Sequence, residues 1–411
     1  MPDASDPLSL VLPVLVLGLA VLAVAGCGAD PSVEPNRSLA ERADSLTRAH
    51  LVVDGHVDLP YRLMEYRQNV GDSTFGDVDY PRAKAGGLDS PFMSIYIPVE
   101  LQDSAGAAKT RADSLIDLVE TIEAENPDKF EVATSPDDVE RIAAAGKIAL
   151  PMGMENGAGL GNDLANVEYF FDRGIRYITL THATHNRIGD ASYDTTTARW
   201  GGLSPFGEDV VAEMNRLGIM VDISHVTDST AYDVLDVTSR PVIASHSSCR
   251  HFTPGWERNL SDDLIRAIAE NGGVVMINFG SSFLREDYQD ANEPVREQIQ
   301  AYIDERGWAK NDVRAVAYAD SLRKANPIGT VSDVADHIDH VVNLVGIDHV
   351  GLGSDYDGVF SLPQGLQDAS TYPNLIEELL RRQYSEEDIA KILGGNAMRV
   401  WSYVEVDGST M

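Results

Sequence analysis

From about residue 41 onward, short apolar runs alternate with stretches in which apolar positions recur at helical spacing. Eight runs stand out, at 51–54, 92–97, 148–154, 175–181, 219–224, 242–245, 274–279 and 349–353. Each is rich in Val, Ile or aromatic residues and bounded by Gly, Pro or polar residues, the pattern of a strand buried on both faces. The segments between them carry helix start and stop signals. Ser204-Pro205 opens a helix predicted over 206–217 with Gly218 behind it, and Ser261-Asp262-Asp263 opens one over 264–270 ahead of Gly272-Gly273. Eight strands alternating with helices predict an α/β fold of the (β/α)8 TIM-barrel type, because each parallel strand needs a crossover and eight close the sheet without edges. The stretch 285–330 is too long for a single crossover. It predicts a helical insertion between strands 7 and 8, with helices over 295–306 and 313–324, placed to serve as a lid or as the contact of a homodimer. An open doubly wound sheet finds no support, because no glycine-rich phosphate-binding signature follows any of the runs.

The first forty residues follow a different pattern. Residues 8–25 form one apolar run ending in the small residues Val24-Ala25-Gly26-Cys27, which resembles a bacterial lipoprotein signal. On that reading 1–26 is a signal peptide, Cys27 is lipidated, 27–40 is a tether, 41–405 is the barrel and 406–411 a tail. An uncleaved anchor is the alternative, since Asp3 and Asp6 precede the run and no basic residue occurs before Arg37. Either way the expected location is outside the cytoplasm, on the periplasmic or cell-surface side, with the membrane as partner through the N-terminal anchor. Cys249, the second of two cysteines, is then an unpaired thiol, and no disulfide framework or CxxC metal motif exists.

Charge narrows the partners. In 411 residues there are 65 acidic and 32 basic side chains, a formal net charge of −33, which excludes nucleic acid because a phosphate backbone needs a basic footprint. Only seven of the basic residues are lysine. An Asp-rich, Lys-poor surface fits a salt-tolerant protein, and it equally fits an ordinary acidic surface kept soluble by its charge.

Active sites of such barrels form where the strands end, so the polar residues behind each apolar run are the candidates. The first run leads into Asp54-Gly55-His56-Val57-Asp58, the third into Met154-Glu155-Asn156-Gly157 and the fourth into Thr181-His182. The fifth, sixth and eighth lead into Ser224-His225, Ser245-His246 and Ser354-Asp355-Tyr356-Asp357. His56 and Asp58, two apart, could hold one metal with mixed N and O ligands, and His225 and His246 a second through neutral imidazoles. Glu155 could bridge the two ions. The joint argument is electrostatic: burying these groups together without compensating charge would cost several kcal/mol per charge, and two divalent cations remove that cost. Asp355 can ligate a metal and move a proton, with Asp357 as its competitor. His182 is free to polarise a carbonyl or steady an oxyanion, whereas His185 belongs to the loop behind it. Arg258 could grip a substrate carboxylate or form a surface ion pair, and Arg250 is a second candidate for the grip.

Together DGHVD, MENG, LTH, ISH, ASHSS with an Arg-Asn pair behind it, HVGLGSDYDG and GGNAMRVW resemble the membrane dipeptidase (renal dipeptidase) family of zinc peptidases, over about residues 45–402. The resemblance implies two Zn2+ per chain. His56, Asp58, Glu155 and Asp355 would bind one, and Glu155, His225 and His246 the other. It further implies that His182 contacts the scissile carbonyl or tetrahedral intermediate and Arg258 the C-terminal carboxylate. The expected activity is hydrolysis of dipeptides, including ones with a C-terminal D-residue, by a metal-bridging hydroxide. A metal-dependent deacylase of N-acyl amino acids and a non-catalytic ligand-binding surface lipoprotein are the alternatives.

Overall fold

The computed structural model describes residues 37–104 and 106–405. The residues expected to form the signal peptide, Cys27, most of the expected tether and the tail lie outside the described residues. The helix Leu39–Ala49 opens on Ser38, whose side chain and that of Glu41 cap one another's backbone. Among the described residues no helix is long and apolar enough to cross a membrane.

Ten strands follow: β1 (Val53–Val57), β2 (Ser90–Tyr96), β3 (Phe130–Val132), β4 (Ile148–Leu150), β5 (Met152–Glu155), β6 (Ile175–Thr179), β7 (Met220–Asp222), β8 (Ile243–Ala244), β9 (Val274–Ile277) and β10 (Val350–Leu352). Eight of them close a parallel barrel in the order β1-β10-β9-β8-β7-β6-β5-β2, so the (β/α)8 barrel is the fold. Two details differ from the sequence expectation. The apolar run 148–154 is two strands, not one. Pro151 separates them: β4 pairs with β3 in a small sheet outside the barrel, while β5 enters the barrel beside β2. The first strand is also shifted, spanning Val53–Val57 rather than 51–54, so His56 lies within the strand instead of behind it.

Helix boundaries follow local chemistry. Pro205–Leu217 is capped by the Ser204 side chain at its start and ends on Gly218 in the left-handed region. Asp262–Glu270 is capped by Ser261 and ends on Asn271. Inside the barrel, Val53, Phe92, Tyr177, Met220, Ile243 and Met276 form a core with Trp401 of the C-terminal helix Asn396–Val404. The Phe92 and Trp401 ring centroids are 5.1 Å apart. The residues of this apolar plug precede the polar candidates along each strand, which leaves the later ends for polar side chains.

The insertion between β9 and β10 holds the helices Ser281–Leu284, Glu293–Arg306 and Val313–Ala325, after which Val331–Val345 returns to the barrel. It is tied down by buried charge. Arg323 Nη2 lies 2.6 Å from Asp77 Oδ1, the Asp77 amide donates to Asp357 Oδ1 at 2.7 Å, and Asp357 Oδ2 is 3.0 Å from Arg62 Nε. Asp357 therefore anchors the insertion and is taken out of competition with Asp355.

Candidate metal centre

The ionisable residues that follow or end the apolar runs converge at the later ends of the barrel strands. Three overlapping groups have ligand atoms within 4.8 Å of one another: His56, Asp58 and Asp355; His56, Glu155 and His246; and Glu155, His182 and His225. The two oxygens of Glu155 divide the cluster. Oε2 lies 3.5 Å from His56 Nε2, whereas Oε1 lies 3.1 Å from His225 Nε2 and 3.4 Å from His246 Nε2. Asp58 Oδ2 is 3.6 Å from His56 Nε2, and His182 Nε2 is 3.6 Å from Glu155 Oε1.

Buried together, these groups shift one another strongly: burial would lower His56, but Tyr177, Glu155 and Asp58 hold it well above the ordinary imidazole range. Burial pushes the Asp355 carboxyl up to about 8; Asp58 and Glu155 add to the rise and His56 opposes it. Burial would raise Glu155 too, but the surrounding imidazoles, His56 first, hold it well below the ordinary range. Burial keeps His225 and His246 neutral, helped by Arg258 at His225 and by His56 at His246. Neutral imidazole is the ligating form.

A second layer fixes which nitrogen faces the cluster. Ser245 Oγ donates to Asp222 Oδ2 at 2.6 Å, so at 2.7 Å it accepts from His246 Nδ1 and leaves the Nε2 lone pair toward Glu155. Asp222 also accepts from the Ser224 and Ser245 amides and from Thr179 Oγ1, joining three strands. On the other side Asp54 accepts from the His56 and Ser354 amides and from the Tyr372 hydroxyl. His56 Nδ1 pairs with Tyr177 Oη at 2.8 Å, and Asn278 Nδ2 donates to Asp355 Oδ2 at 2.8 Å. Sequence reasoning did not single out Asp54, Asp222, Tyr177 or Asn278. For Asp54 and Asp222 the available signal was a carboxylate inside a strand otherwise buried on both faces. Ser245→Ala is expected to weaken metal binding about 10-fold, as loss of a ligand-orienting partner does. Competition with a chromophoric chelator measures this, and unchanged affinity would show that Ser245 does not orient His246.

The backbone is strained where the site is built. Of the five described non-glycine residues with positive φ, four are Asn156, His225, Asp355 and Asp357. Gly358 packs so closely that a Cβ there would overlap Asp58 Oδ2 and Asp355 Oδ1. The donor set fits a pair of divalent cations. His56 Nε2 and Asp58 Oδ1 are buried without a hydrogen-bond partner, and neutral imidazoles with shared carboxylates are ligands suited to zinc.

The cluster opens on a cavity of about 430 Å3 lined by Asp58, Glu155, His182, His225 and Asp355, with Tyr61, Tyr96 and Tyr193 on its walls. His182 is the most exposed of the converging imidazoles, its side chain 19% accessible against 5% for His225. The Tyr96 ring meets it edge-on at 4.8 Å. Arg258 is buried beside the cluster. Its Nη1 donates to Ser247 Oγ at 2.8 Å, and its Nη2 lies 2.9 Å from the His246 carbonyl oxygen and 3.1 Å from His225 Nε2. Arg250 instead forms a two-pronged pair with Asp228 at 2.6 and 2.7 Å, which commits it to the scaffold. His185 is likewise committed: its Nδ1 accepts from the Ala191 amide and lies 3.4 Å from Asp190.

Comparison with known proteins adds an independent line. The model of the family described as membrane dipeptidase (peptidase family M19) matches residues 40–411. Dipeptidase aclJ of Aspergillus oryzae is 36% identical over 374 residues, 88% of this chain and 79% of its own. Dipeptidase tcpJ of Claviceps purpurea is 35% identical over 365 residues, 86% of this chain and 76% of its own. Among solved structures, the probable dipeptidase PvdM of Pseudomonas aeruginosa superposes with a TM-score of 0.76 at 26% identity, covering 89% of this chain and 98% of that one. A metallo peptidase of Rhodobacter sphaeroides, liganded with a phosphinate mimic of the dipeptide L-Ala-D-Ala, gives 0.70 at 28% identity, covering 86% and 99%.

Proposed function

Because this chain belongs to the membrane dipeptidase family, we propose that it is a zinc-dependent dipeptidase with two metal ions sharing Glu155. His56, Asp58 and Asp355 would complete one ion's set, and His225 and His246 the other's. The observation that carries this reading is the division of Glu155: one carboxylate oxygen faces His56 and the other faces His225 and His246. When bound, such ions supply Lewis-acid polarisation of a carbonyl and a lowered pKa for water.

The chain's own residues do the rest. Asp355 has Oδ2 held by Asn278, so the carboxyl is oriented to take a proton from the attacking water and deliver it to the leaving amine. His182, on the cavity wall with Nδ1 lacking a protein partner, would steady the charge that develops on the carbonyl oxygen. Arg258 would select a free carboxylate one residue from the scissile bond, and its fixed charge beside His225 also offsets the buried carboxylates. Support for substrates with a C-terminal D-residue comes from the dipeptide mimic bound by the Rhodobacter sphaeroides relative.

A panel of L,L and L,D dipeptides together with N-acyl amino acids, assayed before and after chelation, tests the proposal. Dipeptide hydrolysis should disappear on chelation and return with zinc. Preference for N-acyl amino acids would favour the deacylase, and hydrolysis indifferent to chelation would overturn the metal reading.

A further inference from the structure

Part of the cavity is lined by the insertion and by Val359, Phe360 and Ser361 of the loop behind β10, and this part of the wall has no role in the hydrolysis described above. Arg296, in the first turns of the helix Glu293–Arg306, lines it with its guanidinium carbon 4.0 Å from the centroid of the Phe360 ring. Among the described residues it makes no ion pair. That is unusual in a chain with 65 acidic and 32 basic side chains, where a nearby carboxylate is easily found. Stacking on an aromatic face holds a guanidinium in place without using its N–H donors.

Two neutral groups on the same wall are also unspent. Ser361 is only 4% exposed, and its hydroxyl is buried without a hydrogen-bond partner. Asn292 is 6% exposed and its side-chain amide makes no hydrogen bond among the described residues. A guanidinium, an amide N–H2 and a hydroxyl together form a donor set suited to the lone pairs of a carboxylate.

We propose that Arg296, Asn292 and Ser361 form a subsite for a carboxylate on the substrate's side chain, so that dipeptides containing an acidic residue are preferred over their amide counterparts. The proposal rests on the dipeptidase reading for its substrate class. The α-carboxylate is the competing source of the same chemistry, and the experiment separates the two.

The test compares kcat/KM for Glu-Ala with Gln-Ala, and for Ala-Glu with Ala-Gln, in the zinc-loaded full chain and in Arg296→Ala. Ala-Ala serves as the reference. In at least one pair the acidic dipeptide should be favoured by roughly 10-fold or more, the scale of a charge-assisted hydrogen bond. Arg296→Ala should bring that ratio close to one and change Ala-Ala by less than about 2-fold, while Arg296→Lys keeps part of the preference. A ratio unchanged by Arg296→Ala overturns the subsite. So does an equal loss across all five dipeptides, which would mean that Arg296 holds the α-carboxylate. If the unaltered chain cleaves no dipeptide, the dipeptidase reading itself fails. Calorimetric binding of Glu-Ala against Gln-Ala then decides the subsite alone: a difference that vanishes in Arg296→Ala supports it, and equal binding overturns it.

Discussion

Glu155→Gln is expected to lower kcat/KM for dipeptides by roughly 10³-fold or more, at the upper end of what losing one preorganised electrostatic element costs. The reason is topological. The two oxygens of Glu155 face different ligand groups, Oε2 toward His56 and Oε1 toward His225 and His246. An amide in its place would remove the negative charge that the two proposed ions share and turn an N–H donor toward imidazole lone pairs. Metal analysis after dialysis should therefore show both ions lost or weakened, not one. Turnover within tenfold of the unaltered chain, with both ions retained, would show that Glu155 does not bridge.

Gly358→Ala should produce a one-sided defect. The added methyl group overlaps Asp58 Oδ2 and Asp355 Oδ1 and displaces those carboxylates, and its three nearest atoms all belong to Asp58 and Asp355. The expected result is loss of one metal equivalent with the other retained, and a fall in kcat/KM of roughly 10²-fold, at the upper end of what disturbing a ligand's support costs. Metal content and steady-state kinetics on the same sample check this. Full occupancy of both sites would mean that the backbone at Gly358 yields cheaply and that Asp58 and Asp355 need no such close approach.

Much of this was legible in the chain because the barrel and the site share one rule. A strand buried on both faces is an apolar run, so an ionisable residue at its end is conspicuous, and the barrel gathers those ends on one side. His56, Asp58, Glu155, His182, His225, His246 and Asp355 all stand at such positions, and the structure brings their side chains together. The split at Pro151 was missed although the proline itself signalled it, because a residue without an N–H cannot continue a buried ladder. Partnerships were hidden for a different reason. Asp222 draws its donors from Thr179, Ser224 and Ser245, and Asp77 meets Asp357 across 280 residues, so each role exists only once the strands are neighbours. That Arg250 is spent on the scaffold was hidden for the same reason. Its partner is Asp228, which nothing in the local sequence ties to Arg250.

The central claim is that these residues enclose two divalent cations bridged by Glu155, and locating the ions by anomalous scattering in crystals of the zinc-loaded chain tests it most directly. Two peaks are expected, one among His56, Asp58 and Asp355 and one beside His225 and His246, with Glu155 between them. A single ion, no ion, or ions held away from Glu155 would contradict it.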